Sequence, residues 1–182
     1  MVAADGAQGQ QIRADLRYRA SQAGRNPDRI TTLMGVQPVV AESGVAAEEK
    51  LRQLKGLIDP VTALQDLATL FRADPADWSL KDSAAEFLRT QHGATGAEGF
   101  ENTVAELVAG GITTLGELAM LGAIAQFKPL LVGTADSVAQ QMLELVEQGA
   151  TDRFMIMGTV VPEPFTDFAP VIRLLDEAVP KI

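Results

Sequence analysis

The stretch PLLVGTADSVAQQMLELVEQGATDRFMIM, residues 129–157, decides the fold. Leu130 to Val132 is a short extended run, Gly133-Thr134 supplies a turn and an N-cap, a helix runs to Gln148, and Gly149 stops it. Phe154 to Met157 is an apolar strand in which Met155 and Met157 alternate with Phe154 and Ile156, the pattern of a strand buried on both faces. A last helix is expected over Phe165 to Val179, with Pro170 in its first turn. Buried strands alternating with amphipathic helices mean a parallel sheet with crossover helices.

Toward the N-terminus, Val2 to Ala4 is an apolar fragment. Asp5 followed by Gln8 is a capping-box pattern, and it opens a helix to about Ala23 with Ile12, Leu16 and Ala20 at spacing four. Gly24 stops that helix and Asn26-Pro27 turns the chain. Ile30 to Val40, rich in β-branched residues, reads as a buried strand kinked between Gly35 and Pro38. Ser43 caps a helix with Leu51, Leu54 and Ile58 on one face. Asp59-Pro60 starts another, with Val61, Leu64, Ala68 and Phe71 as its stripe.

From Asp74 to Gly99 the periodicity fades. The stretch holds the chain's single Trp and single His and reads as a surface excursion with one short helix over Asp82 to Thr90. Phe100 to Val108 forms a helix ending at Gly110-Gly111, and Thr114 with Glu117 is a second capping box. A closed barrel needs eight strands and roughly 250 residues, and a doubly wound sheet five or six strands. Two clear strands and two fragments in 182 residues are a piece of an α/β protein.

Composition excludes several chemistries. Acidic residues outnumber basic ones 24 to 15, a formal charge of −9, which argues against nucleic acid. Arg13, Arg17 and Arg19 read as a solvated helix face. The chain has no Cys and one His, so disulfides, thiolate catalysis, iron–sulfur clusters and two-His zinc sites are out. The longest apolar stretch, Leu118 to Val132, is interrupted by Gln126, Lys128 and Pro129 and falls short of the ~20 residues a bilayer core needs. No export signal is read at the N-terminus, so a cytoplasmic location is expected, with no membrane partner.

The ordered motifs Gly24 to Ile30, Leu33-Met34-Gly35, Pro38-Val39-Val40, Glu48-Glu49-Lys50-Leu51, Val132-Gly133-Thr134 and Gly149 to Phe154 resemble the C-terminal portion of luciferase-like, flavin-dependent monooxygenases, in the branch of the nitrilotriacetate and sulfone monooxygenases. The resemblance implies an α/β fold that is the C-terminal part of a (β/α)₈ TIM barrel, incomplete in this chain. Residues 1–182 would be one domain, with a helical insertion over 59–126 before the last strand. Residues 1–4 would end the sixth barrel strand, Ile30 to Val40 would be the seventh and Phe154 to Met157 the eighth. The family oxidises small organic substrates with dioxygen, using reduced FMN from a separate flavin reductase. The Ser, Gly and Arg that hold the flavin phosphate in such enzymes would precede the matched region. The chain is therefore expected to be the C-terminal section of a monooxygenase, or a non-catalytic remnant or partner subunit. Self-association or a complementing N-terminal half is expected with either.

In a βα barrel the active site gathers at the C-terminal ends of the strands. Ala41 to Ser43 and Gly158 to Pro162 would then face the mouth. Gly158 and Thr159 are the positions for cofactor contact, set against an ordinary strand-to-helix loop. Gly133-Thr134 is an anion-binding helix start or a plain cap. His92 is an acid–base group or a solvated loop histidine. The pairs Asp82/Glu86 and Glu48/Glu49 read as caps and surface charge, and no metal site is expected.

Overall fold

The computed structural model describes residues 1–158 and 163–178. The chain forms two compact units, Met1–Arg52 with Lys128–Ile182, and Gln53–Phe127.

The first unit is built on three parallel strands, β1 (Leu33–Val40), β2 (Leu130–Gly133) and β3 (Arg153–Ile156), in the order β2-β1-β3. Its helices are α1 (Gly6–Gln22), α2 (Gly44–Gly56), which begins here and runs on past Arg52, α7 (Ala135–Glu147) and α8 (Glu163–Ala178). Strand β1 is the centre because it alone carries apolar side chains on alternate positions long enough to meet helices and flank two partners. Met34, Val36 and Val40 pack with Leu131 of β2, Val138 and Met142 of α7, and Phe168 and Val171 of α8. Each such side chain, fully buried, contributes roughly 1.5–3 kcal/mol.

Strand β1 is shorter than the sequence suggests. Residues Pro27–Arg29 form a 3₁₀ turn with Pro27 at its start, and pairing begins only at Leu33. Pro38 stays within the strand for a reason visible in the ladder. Even-numbered residues of β1 bond to β3, where Thr32 O accepts from Arg153 N (3.0 Å) and Val36 O accepts from Met157 N (3.0 Å). The next donor on that side would be Pro38, which has no N–H, so β3 ends at Ile156 and Met157 leaves the sheet.

Four expectations need correction. Val2 to Ala4 is not assigned as a strand, yet the N-terminal segment lies against β1: the Met1 ammonium donates to Leu33 O, Gly35 N donates to Met1 O (3.2 Å), and Ala3 is buried in the core with Met34; Asp5 then caps α1 by accepting from Gln8 N (2.9 Å). Strand β3 is not buried on both faces, since Phe154 and Ile156 turn to the helices while Met155 is 50% exposed on a strand that, among the described residues, pairs with β1 alone. Pro170 lies inside α8 rather than in its first turn, because the helix starts earlier, at Glu163; Val179 falls outside the described residues. Arg13, finally, is half-buried and ion-paired, not solvated.

The second unit contains α3 (Pro60–Leu70), α4 (Ala84–Thr90), α5 (Glu98–Ala109) and α6 (Leu115–Ala125). Asp59 caps α3 with Pro60 behind it, and the Thr114–Glu117 capping box opens α6. The stripe of α3 is Leu64, Leu67, Ala68 and Phe71, while Val61 is exposed. The stretch read as a surface excursion is largely exposed, as expected, but it sends Ala84 and Phe87 into the core. Phe87 of α4 is fully buried between Phe71 (5.3 Å between ring centroids) and Trp78 (5.0 Å), both edge-on. Aromatic anchors need no helical periodicity to pack, so the fading pattern does not mark Phe87 as buried.

Candidate functional site at the strand ends

At the C-terminal end of β1 the chain runs Val40-Ala41-Glu42-Ser43. Ala41 N donates to Gly133 O (3.1 Å), which ties the end of β1 to the end of β2 and sets Gly133-Thr134 beside Ala41. Gly158, the residue after Met157, is exposed beyond the end of β3. The Met157 N to Val36 O bond sets where the backbone leaves the sheet, so Gly158 follows directly from the block at Pro38. Thr159 and the rest of the segment to Pro162 lie outside the described residues.

One side-chain pair fastens this end, and its pairing is not readable from local sequence. Lys50 of α2 donates through Nζ to Val40 O (3.2 Å) and pairs with Asp167 of α8. A cation thus holds the last carbonyl of β1 and a carboxylate on the helix that follows β3. Partners 117 residues apart leave no local spacing to read.

The most strongly perturbed carboxylate lies at the opposite end. Asp152 accepts from Arg13 Nη2 (2.5 Å) and Nε (3.3 Å), and from Thr32 N and Oγ1 (2.8 Å each). Hydrogen bonding from Arg13 is the main reason its carboxyl is held well below the usual carboxylate range; partial burial opposes this and the Thr32 donors add to it. These residues precede β1 and β3. In a βα barrel that end serves stability, so the network is structural despite its pKa.

The other candidates also have structural partners. Thr134 accepts from Ser137 N (3.3 Å) as the cap of α7, and Asp136 puts a negative charge in the first turn, which disfavours an anion there. Glu86 is bound by Arg89, and Asp82 accepts from Ser79 N (2.7 Å). Glu49 pairs with Arg52, and Glu48 is exposed. His92 is exposed near Glu101, whose carboxylate gathers Gly93 N, Thr95 N and Thr95 Oγ1 and is lowered mainly by the Thr95 hydroxyl. Sequence reasoning passed over Lys128, whose methylenes lie against Gly35 and whose pKa burial lowers. Among the described residues no group of three or more His, Asp or Glu is placed to hold a metal ion.

The mouth can be tested against a flavin phosphate, which needs Arg or Lys and free backbone N–H groups. The described residues here are Ala41, Glu42, Ser43, Gly133, Thr134 and Gly158, and the one nearby cation, Lys50, already serves Val40 and Asp167. They do not fit the phosphate. What they offer is a floor of small residues whose one charged side chain is Glu42.

Residues 1–152 match the luciferase-like monooxygenase family. The chain belongs to that family. It is 28% identical over 174 residues to the N-acetyl-S-(2-succino)cysteine monooxygenase of Bacillus subtilis, covering 92% of this chain and 38% of the relative. It is 28% identical over 177 residues to the dibenzothiophene-sulfone monooxygenase of Rhodococcus erythropolis, covering 91% and 35%. The crystal structure of DmoA from Hyphomicrobium sulfonivorans superposes with a TM-score of 0.74 at 22% identity, over 99% of this chain and 37% of that one. The chain therefore spans little more than a third of the proteins it matches, and its three-stranded parallel sheet is part of their TIM-barrel fold. Luciferase-like monooxygenases are flavin-dependent and use reduced flavin supplied by reductases. No helix among the described residues is long and apolar enough to cross a membrane.

Proposed function

We propose that this chain is the C-terminal section of an FMN-dependent monooxygenase that oxidises a small organic molecule with dioxygen, a flavin reductase supplying the reduced FMN. The single observation that carries this reading is the family match over residues 1–152. The two relatives named above act, by their names, on sulfur-containing molecules, so thioethers and sulfones head the substrate panel. The described acids are caps and ion pairs rather than an acid–base couple at the mouth, in keeping with chemistry carried by a cofactor. The flavin phosphate is held by residues outside this segment, and the segment contributes strands, the strand-end floor and the helices behind it. Gly158 and Thr159 are the candidates for contact with the flavin or its substrate.

The chain is read as one domain, a partial barrel with a helical insertion over 59–126, and the insertion either as a lid that excludes water during turnover or as a helical decoration packed on the barrel's side. The test fuses the chain to the N-terminal two-thirds of a relative and measures substrate-dependent oxygen uptake with reduced FMN. Turnover supports the reading; correct folding and flavin binding without turnover on any panel member would refute it and favour a non-catalytic partner subunit. The open edge of β3 is the specific observation behind that second reading. In an active fusion, excising the unit 53–127 under the lid reading lowers turnover and raises uncoupled peroxide; unchanged coupling overturns the lid.

A further inference from the structure

We infer that the turn between α1 and β1 carries a binding site for a phosphate group. Five of the chain's fifteen basic residues, Arg13, Arg17, Arg19, Arg25 and Arg29, lie within residues 13–29, against only Asp15 and Asp28. Each local acid has another arginine as its ion-pair partner, Asp28 loosely and largely exposed. Arg19 Nε lies 2.7 Å from Asp15, Arg17 Nη1 lies 3.6 Å from Asp28, and Arg13 pairs with Asp152. Among the described residues, Arg25 and Arg29 are left with no carboxylate in ion-pair range.

Arg25 and Arg29 line the same open cavity of about 460 Å³, together with Asn26 and Ile30, and no acid is among its described lining residues. The Asn26 side-chain oxygen is committed to Asp28 N (2.9 Å), which leaves its NH₂ as a further donor. Nearby on α1, Arg17 Nε is buried without an acceptor, so the donors of this region outnumber its acceptors. The helix dipole of α1 does not absorb the surplus. Its final carbonyls are already capped by backbone, with Ala23 N on Arg19 O (3.0 Å), Gly24 N on Ser21 O (2.9 Å) and Arg25 N on Ala20 O (2.9 Å). That cap, with Gly24 at φ +69° and the 3₁₀ turn after Pro27, presents both arginines from a fixed backbone.

Two planar forks, neither of them in ion-pair range of a carboxylate among the described residues, suit a tetrahedral oxyanion, which each can bind through two N–H groups. The site lies ahead of β1, at the end opposite the mouth, and so stands or falls separately from the flavin reading. The phosphate comes either free or as a monoester. The experiment titrates the full chain at low ionic strength with inorganic phosphate and, separately, glycerol 3-phosphate, following heat and phosphorus line width. Saturable one-site binding is expected, weakened at least about tenfold in R25Q/R29Q, while the far-UV spectrum and Tm hold and the exposed Arg72→Gln control binds as before. Should the double variant not fold, R25Q and R29Q singly are each expected to weaken binding several-fold. Equal affinity for the two probes assigns the site to free phosphate, and tighter binding of the ester to a phosphorylated metabolite. Non-saturable uptake, binding indifferent to R25Q/R29Q, or equal loss in R72Q would overturn the inference.

Discussion

Arg13 and Asp152 are 139 residues apart in sequence, and Arg13 Nη2 lies 2.5 Å from Asp152 Oδ1. Through Thr32, which donates two bonds to the same carboxylate, the pair joins α1 to the starts of β1 and β3. Asp152→Ala is expected to cost about 1–3 kcal/mol, since it strands donors from both partners; urea unfolding measures it. The pH dependence has a definite sign. The folded-state pKa of Asp152 is depressed, so its contribution is present above the unfolded value of about 3.9 and is lost as pH falls below that toward the folded value. The native urea midpoint should therefore drop below about pH 4, more steeply than that of Asp152→Asn. Parallel pH profiles for the two proteins would remove the assignment.

Gly122→Ala should destabilise the second unit even though alanine is the better helix former by about 1 kcal/mol. A Cβ at Gly122 would sit 2.6 Å from Phe127 Cζ, and Phe127 cannot swing away. It is 4% exposed, edge-on to Phe100 at 5.4 Å, and held on backbone at φ +60°. Overpacking of about 1–3 kcal/mol then outweighs propensity. Gly44→Ala, with nothing within 4 Å of its Cβ, is the control and should be neutral or slightly stabilising. A higher Tm for Gly122→Ala would contradict this packing.

Glu117 should titrate near 2 by carboxyl NMR, because its carboxylate accepts from the backbone of Thr114 and of Thr113 and from the Thr113 hydroxyl. Since this folded value is depressed, the capping box holds above the ordinary glutamate range and opens as pH falls through about 2. Truncation by Thr114→Ala removes the reciprocal half of the box and should move the Glu117 midpoint upward. A midpoint in the ordinary range in the native chain would mean the box is open.

This chain alone should not hold FMN tightly. The strand ends present Glu42 and no free cation among the described residues, so a dissociation constant weaker than about 10 μM is expected, corresponding to less than roughly 7 kcal/mol. Fluorescence titration with oxidised and reduced FMN decides it, and tighter binding that persists in R25Q/R29Q would place a phosphate clamp at the strand ends.

Self-association is the expected behaviour in solution. Among the described residues strand β3 pairs on one side only, and Met155 and Leu33, 50% and 41% exposed, lie on the sheet away from the helices. Light scattering should show mass rising with concentration. A monodisperse monomer throughout would show that the edge is protected.

Local chemistry was readable in the sequence, and distant pairing was not. Asp5, Asp59, Thr114 and Thr134 cap helices as their spacing implies, because a cap needs only three or four neighbouring residues. The parallel sheet followed from the alternation of strand and helix around Gly133 and Gly149. Burial on β3 was misread because four apolar residues do not say how many neighbours a strand has. The Lys50–Asp167 and Arg13–Asp152 pairs were invisible for the same reason, each joining segments more than a hundred residues apart. Of the candidate site, Gly158 could be placed because strand ends follow from strands, whereas the role of Lys50 depends on a helix that arrives from the far end of the chain.

Pro38 does more than end one ladder. A β3 strand displaced by two residues toward the C-terminal end of β1 would set one of its carbonyls opposite the proline nitrogen and find no hydrogen there. Such a slip keeps every side chain on its proper face, so burial alone would not reject it. The missing hydrogen supplies that rejection, and a folding error invisible to hydrophobic matching becomes detectable by the backbone.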